Sequence, residues 1–140
     1  MCTPPLDSIN WLAAIVAGLA FFSFGAIWYS KALFANKWMA YAKIDPNKED
    51  AKKGMGGIML SALLLSIISS LGIALLRSRL DTYGLEAGLK IGLLTGLCFG
   101  ATAISISYLF EKRPLGLHLI NGAYTVIGHI IAAVIICLWV

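Results

Sequence analysis

No Asp, Glu, Lys or Arg occurs from Ser8 to Ser30, Gly54 to Leu76, Ile91 to Phe110 or Pro114 to Val140. These runs hold 23, 23, 20 and 27 residues, together 93 of the 140 in the chain. A helix needs roughly 20 predominantly apolar residues to cross a bilayer, so each run is long enough. Hydrocarbon leaves free backbone N–H and C=O groups unpaired, and a helix satisfies them within the segment. Strands of a membrane barrel would alternate polar and apolar residues, which these runs do not. The chain therefore reads as all-α, an integral membrane four-helix bundle forming a single domain over residues 1–140, with spans at about 9–30, 54–76, 87–110 and 117–139.

Charge then excludes some partners and orients the spans. Eleven basic and seven acidic residues give a net charge of +4, but no soluble face exists to gather it. No nucleic acid is expected as a partner, and the excess reads as orientation and lipid contact. The first connector carries six lysines and the third carries Lys112 and Arg113, against Arg77, Arg79 and Lys90 on the other side. Basic loops stay in the cytoplasm, so both termini are expected outside. Trp11 and the pair Trp28-Tyr29 edge the first span, as interfacial aromatics do.

In the first connector, Phe34, Trp38 and Tyr41 recur at helical spacing, which predicts a short interfacial helix within about residues 31–44. Asp45-Pro46 reads as a cap and first helical residue, predicting a helix that runs on into the second span and ends by Leu76. Arg77 to Glu86 then forms a hairpin, and Glu111-Lys112-Arg113-Pro114 a tight turn.

The strongest local pattern is Gly88, Gly92, Gly96 and Gly100, spaced by four along the third span. On an α-helix these stack on one face and admit another backbone closely, inside the bundle or at a seam between subunits, or else line a pore. Gly96, in the middle, is expected to be the most sensitive. Ala14, Gly18 and Ala26 in the first span, and Gly122, Ala132 and Ala133 in the fourth, form weaker versions.

Polar residues inside spans are costly and tend to face the interior. His118, Asn121, Thr125 and His129 share one face of the fourth span, with Thr125 and His129 deepest. The two histidines are eleven residues apart, about 16 Å along a helix, so they cannot share a metal or haem. No cofactor and no metal are expected. No acidic residue lies within the apolar cores to drive proton-coupled transport. Nothing pairs a nucleophile with a base and an orienting acid, so no enzyme and no catalytic residue are expected.

Topology also gathers Trp28, Tyr29, Tyr108, Glu111, Arg113, His118, Asn121 and Tyr124 at one membrane edge. Such a cluster serves either as a network that pins the turn or as a site for a headgroup, peptide or small solute. A Glu111–Arg113 pair would weaken the second reading.

Asn10-Trp11-Leu12, Gly25-Ala26-Ile27-Trp28-Tyr29-Ser30, Leu33-Phe34 and Trp38-Met39 open the chain with recognisable motifs, and Leu109-Phe110-Glu111-Lys112-Arg113-Pro114, Leu119-Ile120-Asn121 and Tyr124 close it. Together they resemble the bacterial membrane family catalogued as domain of unknown function 1761. The resemblance implies four spans and a bacterial inner membrane, and carries no activity with it. The expected role is a homo-oligomeric or accessory helix-packing membrane component, partnered by the lipid bilayer and by its own copies or a larger complex. The alternative is a small-solute or ion transporter or channel formed between subunits.

Overall fold

A computed structural model describes residues 8–44 and 54–139. Asn10 starts the first helix, α1 (Trp11–Trp28), by accepting the Ala13 N–H on its side-chain oxygen at 3.0 Å. This satisfies one of the donors that a helix N-terminus leaves over. The buried face of α1 is made of Ala13, Ala14, Ala17, Gly18, Phe21 and Gly25. Ala26, counted with the small-residue face, is exposed; Gly25 holds the contact instead.

The short helix of the first connector is α2 (Ala35–Ala42). Its aromatic stripe turns onto the bundle: Phe34 lies 4.4 Å from Trp28 between ring centroids, Trp38 lies 5.5 Å from Tyr29, and Tyr41 covers Gly116. Lys31, Lys37 and Lys43 stay exposed.

The start expected at Asp45-Pro46 lies outside the described residues. The second span is α3 (Met55–Leu80), and Gly54 before it has φ +74°, a left-handed conformation that interrupts any helix entering the span. At its far end α3 runs one turn past Leu76 and takes in Arg77, which the sequence reads as the start of the hairpin. Arg77 is buried there, its guanidinium 4.0 Å over the Tyr83 ring. A cation–π contact lets the extra helical turn keep a charged residue inside. The Tyr83 hydroxyl donates to Asp81 at 2.8 Å, which holds its pKa above the usual phenol value.

The third span joins α4 (Gly84–Leu93), a π-helical stretch over Leu94–Ala101 and α5 (Thr102–Phe110). The sequence predicts an unbroken α-helix here, and the four-residue glycine repeat explains the difference. In an α-helix of 3.6 residues per turn, residues four apart drift by about 40°. In a π-helix of about 4.4 residues per turn they drift by roughly 30° the other way. A helix that changes from one to the other keeps Gly88, Gly92, Gly96 and Gly100 facing a single neighbour.

That neighbour is α6 (Leu115–Leu138), which begins just after Pro114. A Cβ on Gly88 would lie 2.7 Å from Val134 Cα, and one on Gly96 would lie 2.8 Å from Val126 Cα. On Gly92 it would meet Ile130 Cα, the closest backbone approach of the series. On Gly100 it would meet the Thr125 methyl at 2.5 Å. Each step of four down the third span matches a step of four up α6 from Gly88 to Gly96, so the helices run antiparallel in fixed register.

α6 is the hub, packing against α1, the third span and, less extensively, α3, while α1 packs on α3 at Gly18 and Ile67. The core collects Ala14, Ala17, Ile73, Ala74, Ile91, Ala132, Ala133, Ile136 and Cys137, which lie toward one end of the bundle. At the other end residues 55–61 of α3 are all exposed, and α5 has no buried residue. The bundle is closed at the end holding the start of α1 and splayed where α3 stands away from α5. All four long helices are apolar enough to cross a membrane, and the molecule is an all-α, multi-pass membrane protein.

Candidate functional site

The splayed end contains a cavity of about 700 Å³. Tyr29 and the α2 residues Trp38 and Met39 form one wall, with Ile44 beside them. Met55, Ile58 and Met59 from α3 form a second wall, and Ile104 and Tyr108 from α5 a third. Asn121, Tyr124 and Thr125 of α6 make the floor. Met55, Ile58 and Met59 keep 39%, 60% and 47% of their surface exposed, so the cavity opens toward the lipid side between α3 and α5.

Tyr29, Asn121, Tyr108 and Thr125 form one hydrogen-bonded chain. The Tyr29 hydroxyl donates to Asn121 Oδ1, and Asn121 Nδ2 donates to the Tyr108 hydroxyl at 2.6 Å. One amide thereby ties the end of α1 and the end of α5 to α6. The Trp28 indole donates to the Ile120 carbonyl at 3.1 Å, a second tie between α1 and α6. Deeper in, the Thr125 hydroxyl donates to the Asn121 carbonyl at 2.9 Å. His129 Nδ1 lies 2.7 Å from the Thr125 carbonyl, and a carbonyl only accepts, so Nδ1 carries the proton. Tyr124 packs edge-on against Tyr29 at 5.2 Å and stacks on Phe24 at 5.9 Å.

Of the eight residues the sequence groups at this edge, Tyr29, Tyr108, Asn121 and Tyr124 line the cavity, and Trp28 braces it from behind. His118 lies against the Tyr108 ring at 5.3 Å, outside the cavity wall. Glu111 and Arg113 do not join: they pair with each other at 3.0 Å in the exposed turn. They are two residues apart, so the turn brings them together. Thr125 reaches the floor, while His129 lies beyond it with its ring 5.2 Å from Phe21.

Trp38 and the three methionines Met39, Met55 and Met59 complete the walls; Trp38 stands out in the sequence as part of the aromatic stripe, Met39 only as its neighbour in a motif, and Met55 and Met59 not at all. The methionines carry no spacing signal, because they come from α2 and from the first turns of α3. Among the described residues no charged side chain lines the cavity, and no group of three His, Cys, Asp or Glu stands together to hold a metal.

On α6 the polar chain stops at His129, and on α3 the buried Ser66 and Ser70 give way to Ile73 and Ala74. Beyond His129 α6 presents Ala132, Ala133, Ile136 and Cys137, packed against Ile73, Ala74 and Ile91. The cavity is therefore a blind one, polar at its floor, apolar on its walls and separated from the opposite end by the core. Pockets of roughly 300–1,000 Å³ with apolar walls and a few convergent polar groups are the usual form of small-molecule sites.

A family model described as "Protein of unknown function (DUF1761)" matches residues 12–137, and the chain belongs to that family. No curated protein and no solved structure matches it.

Proposed function

We propose that this protein is a non-enzymatic membrane component that holds a small lipophilic molecule in the blind cavity and does not conduct solutes across the bilayer. The observation that carries this reading is the join between His129 and the core. A conduit needs a continuous polar path, and along α6 the polar residues end at His129, before Ala132 and Ala133, while on α3 the buried Ser70 and Arg77 are separated by Ile73 and Ala74. Holding needs only a closed floor and an open side, which the splay of α3 from α5 supplies.

The glycine face supports a single-chain role, an internal glycine zipper against α6 in place of a subunit seam. The third span buries only Gly88, Ile91, Gly92 and Gly96, so most of its surface is left to lipid or a neighbouring helix. We place the protein, as a homo-oligomer or a subunit of a larger complex, in a bacterial inner membrane with both termini outside.

Native mass spectrometry of protein extracted with its own lipids is the test. The expected result is an adduct of one small lipophile per chain that Asn121→Leu reduces. Flux of ions or small solutes through reconstituted vesicles, above protein-free vesicles and abolished by Asn121→Leu, would overturn the reading in favour of a conduit.

A further inference from the structure

The hydrogen bonds on the cavity floor leave a defined remainder, and it names the ligand's chemistry. Asn121 Oδ1 accepts from Tyr29, while one Asn121 N–H donates to the Tyr108 oxygen. The Tyr108 hydroxyl is thus used as an acceptor, and its own proton has no acceptor among the described residues. The second Asn121 N–H is likewise without one. Two donors of the Tyr29–Asn121–Tyr108 network remain, and both belong to residues that line the cavity. Both residues are half-buried, and in a cavity that opens toward hydrocarbon an unpaired donor is costly, so an acceptor atom at this point is favoured. Among the described residues no cation lines the cavity to neutralise a phosphate or carboxylate. Taking such a charge out of water without a partner is far more costly than burying a neutral carbonyl.

From these donors and these uncharged walls we infer that the cavity takes a neutral, single-chain lipid whose carbonyl oxygen accepts from the Tyr108 hydroxyl and the Asn121 amide. Its hydrocarbon chain lies along Met55, Ile58 and Met59 and leaves through the gap between α3 and α5. Methionine suits this role because its unbranched thioether adapts to chains of different shape. The inference rests on the cavity's being the working part of the protein, and adds what the cavity selects.

Trp38 lies in the wall and reports occupancy. Three probes of equal length, dibrominated methyl stearate, ionised dibrominated stearate and dibrominated octadecane, are titrated onto the full chain in detergent. The signal is the saturable tryptophan quenching that Trp38→Phe removes. The methyl ester should bind most tightly. Tyr108→Phe, which keeps the ring and removes only the proton, should weaken the ester about tenfold, as one lost hydrogen bond of roughly 1.4 kcal/mol implies, and leave the hydrocarbon unchanged. Equal quenching by all three probes would overturn the carbonyl selection while leaving the cavity a lipophile site. Preference for the ionised acid would overturn the inference outright. No saturable quenching by any probe would remove the cavity reading itself. An acyl ester and an alkyl quinone share the carbonyl, so displacement of the bound methyl ester by monoolein or by decylubiquinone shows which the site prefers.

Discussion

Tyr29, the residue after α1, donates its phenol hydrogen to the side-chain carbonyl of Asn121 on α6. These residues are far apart in sequence, and the bond fixes how the two helices end beside each other. Asn121 then passes a hydrogen bond to Tyr108, so three spans meet at a single amide. The same contacts close the floor of the cavity, which makes the end of the bundle and the shape of the site one structural fact.

Removing that amide is predicted to loosen the edge modestly. Hydrogen bonds between membrane helices average about 0.6 kcal/mol, so Asn121→Leu should cost about 1 kcal/mol. Tyr29→Phe should cost roughly half as much, and Tyr29→Phe added to Asn121→Leu should cost nothing further. Unfolding in mixed micelles measures all three, and strictly additive losses would show that the pair does not interact.

The Glu111–Arg113 pair is predicted to matter little. Both side chains are substantially exposed, 52% and 40%, and the pair spans a single turn. Exposed pairs contribute about 0–1 kcal/mol, so Glu111→Gln or Arg113→Gln should shift stability by less than about 0.5 kcal/mol. A drop of several degrees in the melting midpoint of either variant would mean that the turn depends on the pair.

Much of this fold is legible from the absence of charge. Runs without Asp, Glu, Lys or Arg mark the helices, and Pro114 marks the last turn. Antiparallel topology alone brings Tyr29, Tyr108, Asn121 and Tyr124 to one edge. Three things were not legible, each for a physical reason. The π-helical stretch answers a contact with α6, and local propensity carries no trace of it. Arg77 reads as a loop residue because its burial depends on α3 gaining a turn and on Tyr83 arriving beneath it. The cavity is a gap, set by how far α3 stands from α5, and no residue encodes a gap directly.

Orientation is predicted from the basic connectors. Single cysteines at Lys37 and Lys112, both exposed, should react with an impermeant reagent only after permeabilisation, in protein lacking its native cysteines. A cysteine at Asp81, in the opposite turn, should react in intact cells. The reverse pattern would place both termini in the cytoplasm.

The glycine face yields the sharpest prediction, because its contacts differ in kind. At Gly92 the nearest atoms are the Cα and N of Ile130 and the carbonyl oxygen of His129, all backbone. At Gly100 the tight contact is the Thr125 methyl at 2.5 Å, while the next atoms stand at 3.5 Å or more. At Gly72, on α3, nothing lies within 4 Å. Overpacking costs typically about 1–3 kcal/mol, and it is relieved only where the opposing atom can be removed. Gly92→Ala should therefore destabilise the protein strongly, and Ile130→Ala should not restore it, because the colliding atoms remain. Gly100→Ala should also destabilise, but Thr125→Ser removes the methyl, keeps the hydroxyl that bonds Asn121, and should bring the double mutant close to Thr125→Ser alone. Gly72→Ala should be neutral or stabilise by up to about 1 kcal/mol through helix propensity. Denaturation of the six variants in one detergent reads the whole pattern. Rescue of Gly92→Ala by Ile130→Ala, or failure of Thr125→Ser to rescue Gly100→Ala, would show that the third span and α6 do not meet in this register, and the π-helical phasing that sets the register would fall with it.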